Sequence, residues 1–195
     1  MEVFATAFLP GTMYLKKWLQ SNHPVIDVGE NFIKQTFRSR CSILTSNAPL
    51  LISIPLRKTD SKRVGDTEIS YTEGWQTKAL RAIRSSYANS PYYEHYQEEF
   101  EGLLMKQEPL LYSYNHELFK WLLKNLYIER DFTISQKYIE SEFNADFRPT
   151  DFEDIQSTGL KPYKQVFTHK TEFSAGLSVV DLLFNKGPES LPYLQ

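Results

Sequence analysis

The alternation of apolar and polar residues in the first part of the chain predicts short strands separated by turns. Residues 3–9 are predicted to form a strand that ends at Pro10 and Gly11, because both residue types interrupt regular structure. A short helix is predicted over residues 12–20 and a second strand over residues 25–28. This order is typical of a βαβ unit, whose crossover is right-handed.

Two further strands are predicted next. Apolar residues alternate with polar ones over residues 31–43, as they do in a strand with one buried face. A turn is predicted over residues 46–49, and the apolar run at 50–56 predicts a buried strand. The polar stretch 57–66 is predicted to be a loop.

The middle of the chain is predicted to be helical. Residues 75–87 place apolar side chains on one face at helical spacing and cations on the other, which is the pattern of an amphipathic helix. Two more helices are predicted over residues 92–105 and 116–128, with Asn115 as the N-cap of the second.

The last third returns to mixed structure. Strands are predicted over residues 131–135 and 163–167, on either side of an acidic, irregular stretch at 137–160. The last helix is predicted over residues 177–185, and Gly187 follows it as a stop signal. The expected fold class is mixed α/β (α+β): a small central sheet from the N-terminal third and the C-terminal strand, with the helical middle packed on it, in a single domain 1–195.

Composition narrows the class of protein. Apolar residues make up 41% and charged residues 24% of the chain, which is ordinary globular usage. The formal net charge of −2 gives no basic excess of the kind that nucleic-acid binding requires. The single cysteine, Cys41, excludes an intrachain disulfide and fits a reducing compartment. No apolar run approaches the roughly 20 residues of a membrane-spanning helix, so we expect a soluble, cytoplasmic protein.

The strongest candidate for ligand binding is the predicted strand at 31–43. Its period of two would place Lys34, Arg38 and Arg40 on one face, where they would repel one another. A phosphate or carboxylate ligand would relieve that repulsion, and arginine suits bidentate capture of either. The alternative is a solvated face whose cations pair with nearby acidic residues.

The predicted last helix carries a second candidate. Ser178, Asp181 and Asn185 lie at spacings that form one polar stripe on an otherwise apolar helix. Buried polar groups without partners cost about 1–3 kcal/mol each. The stripe therefore indicates either structural hydrogen bonds or a site for ligand binding or catalysis.

Other chemistry-bearing residues have simpler alternatives. Tyr87 and Tyr92 could stack a ligand ring or could pack in the core. His116 and Glu117 could form an acid/base pair, and Cys41 could be a nucleophile or a small core residue. The four histidines are scattered without metal-ligand spacing, and the common phosphate-binding loops are absent. No metal site is predicted, and the sequence names no cofactor.

The chain resembles the WbqC-like family, a bacterial family named for a member encoded in an O-antigen cluster. The segments that carry the resemblance are, in order, FLPGTMYLKKWL, FIKQTFRSRCSI, LLISIPL, KALRAI followed by SPYYEHY, and GLSVVDLLFNKGPESL. Each is a weak signal alone, but their joint order is specific. Lys34, Arg38, Arg40, Asp181 and Asn185 match recurring positions of the family.

The resemblance implies a cytoplasmic, catalytic role in surface-polysaccharide biosynthesis, by acyl or aminoacyl transfer to a nucleotide-linked amino sugar. Asp181 would then be the general base or a ligand of a sugar hydroxyl, and the cations would hold the phosphates of that sugar. The chain also departs from the family. It keeps Pro10 and Tyr14 of the opening motif but lacks its histidine, and WQTKALRAI lacks a second common histidine, with Lys78 and Ala79 there.

Two other functions stay open. The predicted βαβ unit could support nucleotidyl or adenylyl transfer, with the ligand near the carboxyl ends of its strands. The missing histidines favour instead a non-catalytic binding or scaffold protein that joins a glycan-assembly partner. Neither nucleic acid nor a membrane is an expected partner.

Overall fold

The structure is a computed structural model that describes residues 1–142, 145–148, 161–168 and 172–195. Its helices are α1 (Thr12–Gln20), α2 (Trp75–Tyr87), α3 (Tyr93–Met105), α4 (Leu111–Asn125), α5 (Val179–Lys186) and α6 (Leu191–Leu194). Its strands are β1 (Glu2–Phe4), β2 (Pro24–Asp27), β3 (Arg40–Leu44), β4 (Pro49–Ser53), β5 (Thr133–Ser135) and β6 (Asp146–Phe147). Two 3-10 helices cover Val64–Asp66 and Gly187–Ser190.

The larger sheet is parallel, with strand order β5-β2-β1-β6. Phe4 of β1 lies opposite Ile26 of β2 on one side and Phe147 of β6 on the other. Because all four strands run in the same direction, their carboxyl ends meet at one edge of the sheet. In such sheets ligands usually bind outside that edge.

Strands β3 and β4 form a separate antiparallel hairpin. Two hydrogen bonds attach β3 to the body of the protein. The Ser178 N–H donates to the Ser42 carbonyl at 2.8 Å, and the Leu44 N–H donates to the Tyr87 hydroxyl at 3.1 Å. The hairpin is therefore held through β3, while β4 lies on its outer side.

Large aromatic side chains fill the core between the sheet and the helices. Trp18 of α1 packs edge-on against Phe119 of α4, with ring centroids 5.3 Å apart. Phe184 of α5 lies 5.0 Å from Tyr93 and 5.4 Å from Phe100, so it joins α5 to α3. Cys41 is buried in the same core, where burial raises the pKa of its thiol.

Most of the predicted elements are confirmed. The mixed α/β class is correct, and α1 and α2 have the predicted bounds. The β1-α1-β2 unit is present with parallel strands. Strand β1 is shorter than predicted and ends at Phe4. At the far end of the predicted strand Leu9 has a positive φ of 44°, which lies outside the strand region.

The predicted strand over residues 31–43 is wrong for most of its length. Residues 34–39 form turns, and regular strand begins only at Arg40. Gln35 has a positive φ of 63°, and the Ser39 N–H bonds back to the Thr36 carbonyl at 3.1 Å. The turns point Arg38 into the protein rather than along a sheet face, so the expected row of three cations does not form.

Three smaller predictions also fail. Helix α4 begins at Leu111, so Asn115 lies inside it and is not its N-cap. The predicted strand at 163–167 has no strand conformation, and the fourth strand of the parallel sheet is β6. That strand falls in the stretch predicted to be irregular, part of which (149–160) lies outside the described residues.

None of the described helices is both long and apolar enough to cross a bilayer.

Gly187 provides a test of the packing between α5 and α3. Its φ of 54° is rare for L residues, and a Cβ built there would lie 2.6 Å from Cε1 of Tyr92. We expect Gly187→Ala to lower the free energy of unfolding by about 2–4 kcal/mol, through backbone strain and overpacking together. Urea denaturation measures this loss.

Gly74→Ala is the control for a positive φ without a steric contact, since Gly74 has a φ of 57° in the left-handed helical region and open space around it, whereas ψ at Gly187 is −127°. Its loss should be about 1 kcal/mol, from backbone strain alone. Equal losses at the two positions would contradict the proposed steric contact with Tyr92.

Candidate functional site

The structure places Arg38 in a buried ion pair rather than on an open surface. Its side chain is 0% exposed, with Nε donating to Oε1 of Glu30 at 2.9 Å and a terminal nitrogen donating to Oε2 at 2.7 Å. The same terminal nitrogen donates to the Arg148 carbonyl at 3.0 Å. Burial raises the pKa of Glu30, and the Arg38 charge opposes that rise. The Arg38 charge is thus matched inside the protein.

The other two predicted cations are more accessible. Lys34 is exposed in the turn, and Arg40 is half-buried on β3 opposite Ser53. Neither forms an ion pair with any described residue. Their predicted role in holding phosphates stays a prediction, and it no longer includes Arg38.

Asp181 is completely buried near the start of α5. Its Oδ2 accepts a hydrogen bond from the Tyr163 hydroxyl at 2.5 Å and another from Nε2 of Gln165 at 3.1 Å. Its Oδ1 has no hydrogen-bond partner. Burial raises the pKa of Asp181, while the hydrogen bonds from Tyr163 and Gln165 oppose the rise. Residues 163–165 therefore enclose the carboxyl group.

The other predicted residues of this group have structural contacts. Ser178 caps α5, since its hydroxyl accepts from the Val180 N–H, and Asn185 donates to the Asp181 carbonyl at 2.7 Å. Tyr87 is fully buried, and its hydroxyl accepts a hydrogen bond from Leu44. Tyr92 is half-buried, with its ring directly against Gly187.

Arg38 and Asp181 make separate sets of contacts. No hydrogen bond or ion pair between described residues joins Lys34, Arg38 or Arg40 to Asp181. Arg38 is held beside the ends of β2 and β6, whereas Asp181 is enclosed by the segment that contains Tyr163. A ligand shared by Asp181 with Lys34 and Arg40 stays a prediction.

A cleft lies instead at the carboxyl edge of the parallel sheet. Thr6 and Ala7 follow β1, Val28 follows β2, and Ile134 belongs to β5. The opposite wall is helix α4. The full lining is Thr6, Ala7, Tyr14, Ile26, Val28, Tyr112, Asn115, His116, Phe119 and Ile134. This is the location where parallel sheets usually bind ligands.

The polar side-chain groups of the cleft belong to Thr6, Tyr14, Tyr112, Asn115 and His116, and the Tyr14 hydroxyl already donates to the Ala5 carbonyl at 2.8 Å. Nδ2 of Asn115 donates to Oγ1 of Thr6 at 3.2 Å and to the Arg38 carbonyl at 2.8 Å. Oδ1 of Asn115 and Nδ1 of His116 are buried and have no hydrogen-bond partner. Buried polar atoms without partners are rare in native proteins, so two neighbouring ones indicate a missing ligand or water.

His116 is suited to accept a proton. Its ring packs 5.3 Å from the ring of Phe132. Burial lowers the pKa of His116, the nearby Lys120 lowers it further, and Glu117 opposes both. The imidazole is therefore neutral at pH 7, which is the form that can act as a general base.

The cleft is small. Its empty space is about 270 Å³, including the part open to solvent.

A second buried ion pair lies at the same edge of the sheet. Arg148 donates to Oδ2 of Asp27 at 2.5 Å and to Oδ2 of Asp146 at 2.6 Å. Asp27 also accepts from the backbone of Gly29 and Ile139. This network fixes the segment after β5 across the end of β2. Among the described residues, no cluster of histidine, cysteine or carboxylate side chains could hold a metal ion.

The sequence indicates His116 only as half of an acid/base pair with Glu117, and it does not indicate Thr6. Neither residue has a local motif. The signal that could have found the site is its position in the fold. Thr6 directly follows the first strand of a βαβ unit and therefore lies at the sheet edge where ligands bind.

Comparison with known families matches residues 6–147 to a model described as the WbqC-like protein family. The match covers well over half of the chain and includes the residues that line the cleft, while Asp181 and Asn185 lie beyond it. No curated protein and no solved structure gives a significant match.

Replacing Arg38 tests its structural role. Arg38→Met leaves the Glu30 carboxylate buried without its partner, which should cost about 3–5 kcal/mol in the free energy of unfolding. The double variant Arg38→Met/Glu30→Leu should recover most of that loss, because it removes both charges. Arg40→Met is the control and should cost below about 1 kcal/mol. A small loss of unfolding free energy for Arg38→Met would show that the ion pair with Glu30 is not needed for the fold, and Arg38 would again be a candidate for ligand binding.

Asp181→Asn tests the buried carboxyl group. Because burial raises its folded pKa above the ordinary value of 3.8, the folded protein binds this proton more tightly than the unfolded chain. The wild type therefore loses stability as the pH rises from 3.8 through the folded pKa. The stability of Asp181→Asn relative to the wild type should increase over that range and then level off.

Urea denaturation at a series of pH values measures this difference. Asp131→Asn, at an exposed position, controls for the loss of one negative charge. A relative stability of Asp181→Asn that falls with increasing pH would show that the ionised carboxylate is the favoured buried form.

Proposed function

The chain belongs to the WbqC-like protein family, and from this premise we propose that it is an enzyme that modifies a nucleotide-linked amino sugar. The reaction is the transfer of an acyl or aminoacyl group, and it serves surface-polysaccharide or O-antigen biosynthesis in the cytoplasm. The observation that supports this proposal is the pair of buried, unpartnered acceptors, Asn115 Oδ1 and His116 Nδ1, in the cleft at the carboxyl edge of the sheet.

The cleft fits the sugar better than the phosphates. Its lining carries no ionised side chain, and its hydrogen-bonding side chains are the neutral ones of Thr6, Tyr14, Tyr112, Asn115 and His116. A sugar presents hydroxyl or amino groups together with an apolar face. Such a group in the cleft would hydrogen-bond to Oδ1 of Asn115 and Nδ1 of His116, which have no partner among the described residues.

The nucleotide phosphates would lie at the rim of the cleft. The turn over residues 34–39 borders it, because the Phe37 ring lies 5.8 Å from that of Tyr14 and the Arg38 carbonyl accepts from Asn115. Lys34 is exposed in this turn and carries a charge suited to a phosphate. Arg40 is the second cation retained from the original prediction.

The neutral imidazole of His116 would be the base in place of Asp181, which is enclosed by Tyr163 and Gln165. The amine of the sugar attacks the carbonyl carbon of an activated acyl or aminoacyl donor. The new C–N bond forms as the bond to the leaving group breaks. His116 takes the proton from the nitrogen and returns it to the leaving group.

Thermal unfolding with UDP-glucosamine, UDP-glucose and UDP tests ligand binding. At roughly 100 times Kd a ligand adds about 2.7 kcal/mol to the stability, which raises the Tm of a chain of this size by about 5 °C or more. We expect this shift with UDP-glucosamine, and a smaller one with UDP.

His116→Asn should weaken the binding of UDP-glucosamine about fivefold to tenfold, since it removes one hydrogen bond worth about 1 kcal/mol. His95→Asn, at an exposed histidine of α3, is the matched control and should leave Kd unchanged. Failure of every nucleotide sugar to raise the Tm would refute the proposal. Stabilisation by ATP alone would favour adenylyl transfer instead.

A further inference from the structure

Strand β4 has an open outer edge. Leu50 and Leu51 are 41% and 53% exposed, although they belong to an apolar strand. The inner edge of β4 is paired with β3, whose own outer edge bonds to Ser178 and Tyr87. Directly after β4 the same outer side is already occupied, because the Ser70 N–H donates to the Pro55 carbonyl at 2.8 Å and the Arg57 N–H donates to the Glu68 carbonyl at 3.0 Å. The free edge among the described residues is therefore limited to β4 itself.

The alternation of hydrogen-bonded and non-hydrogen-bonded pairs between β3 and β4 shows which backbone groups of β4 face outward. The Ile54 N–H donates to the Ser39 carbonyl at 2.8 Å, and at the other end of the hairpin the Thr45 N–H donates to the Ala48 carbonyl at 3.2 Å. Every second pair between them is therefore the hydrogen-bonded kind. Leu51 and Ser53 fall at the alternate positions. Their N–H and C=O groups therefore point away from β3, and they have no hydrogen-bond partner among the described residues.

Charge is distributed unevenly around this edge. Residues 31–63 contain seven lysines and arginines but only one acidic residue, Asp60, which gives a formal net charge of +6. Arg38 is paired with Glu30 and Arg57 with Glu68, so the excess that a partner could meet is about +4. Because the whole chain carries −2, all other residues together carry −8. Arg40 lies directly opposite Ser53, and Lys58 follows β4 in sequence. The free edge thus belongs to the most basic segment of the chain.

We propose that the outer edge of β4 binds an extended acidic segment of a partner protein, which adds a third strand to the hairpin. The main chain of the segment bonds to Leu51 and Ser53, and its acidic side chains lie near Arg40 and Lys58. A second copy of this chain fits less well, because it would bring one basic segment against another. Pro49 lacks an N–H and limits the pairing at the start of β4.

Fluorescence anisotropy with three labelled seven-residue peptides tests this proposal. The first alternates valine and glutamate, the second has lysine in place of glutamate, and the third is the glutamate peptide with alternate backbone nitrogens methylated. We expect the glutamate peptide to bind with a Kd on the order of 10–100 μM. The lysine and methylated peptides should bind at least about tenfold more weakly, because they lose the charge match and the main-chain bonds respectively.

Variants of the protein locate the binding edge. Leu51→Pro removes an N–H that points outward and leaves the bonds to β3 in place, so it should weaken binding of the glutamate peptide about tenfold. Lys58→Glu should weaken it too, whereas Lys17→Glu on α1 is the control for the charge change and should not. Circular dichroism checks that each variant is folded.

Three results would overturn the proposal. One is the absence of binding of the glutamate peptide at millimolar concentration. Another is equal affinity for the methylated peptide, which would leave only charge attraction; this comparison needs no variant of the protein. The third is a mixed-sequence single-stranded oligonucleotide that binds more tightly than the peptide and displaces it, which would assign the basic segment to nucleic acid.

Discussion

The buried ion pair between Arg38 and Glu30 is the interaction on which the carboxyl edge of the sheet depends. It joins the chain after β2 to the turn at 34–39, and the contact of Arg38 with the Arg148 carbonyl adds the chain after β6. Two charges removed from water are tolerated only when their geometry is satisfied. The pair therefore fixes three separate segments in one arrangement.

The cleft is a consequence of that arrangement. Asn115 reaches the Arg38 carbonyl and the Thr6 hydroxyl with the same amide nitrogen, so its orientation is set by the turn and by the end of β1. Its carbonyl oxygen is then left facing the space beside His116 without a partner. Arg38, which was predicted to bind a ligand directly, thus affects the site by orienting Asn115 in the wall of the cleft.

The parts of the fold with a clear period were predictable, and those set by single long-range contacts were not. Helix α2 follows from its apolar face alone, and the βαβ unit follows from residue order. Residues 34–39 show the same alternation of apolar and polar residues as a strand. The turn is distinguished by the ion pair of Arg38 with Glu30, a residue outside the alternating stretch. The stripe of Ser178, Asp181 and Asn185 was recognised, but its partners Tyr163 and Gln165 come from a segment without a motif.

The position of Cys41 has a practical consequence for studying this protein. It is the single thiol of the chain, and it faces the interior from β3, the strand that anchors the hairpin. A buried thiol with a raised pKa does not react with alkylating reagents until the structure around it opens. The rate at which an alkylating reagent labels the folded chain therefore measures how fast the hairpin detaches, and no other thiol contributes to the signal.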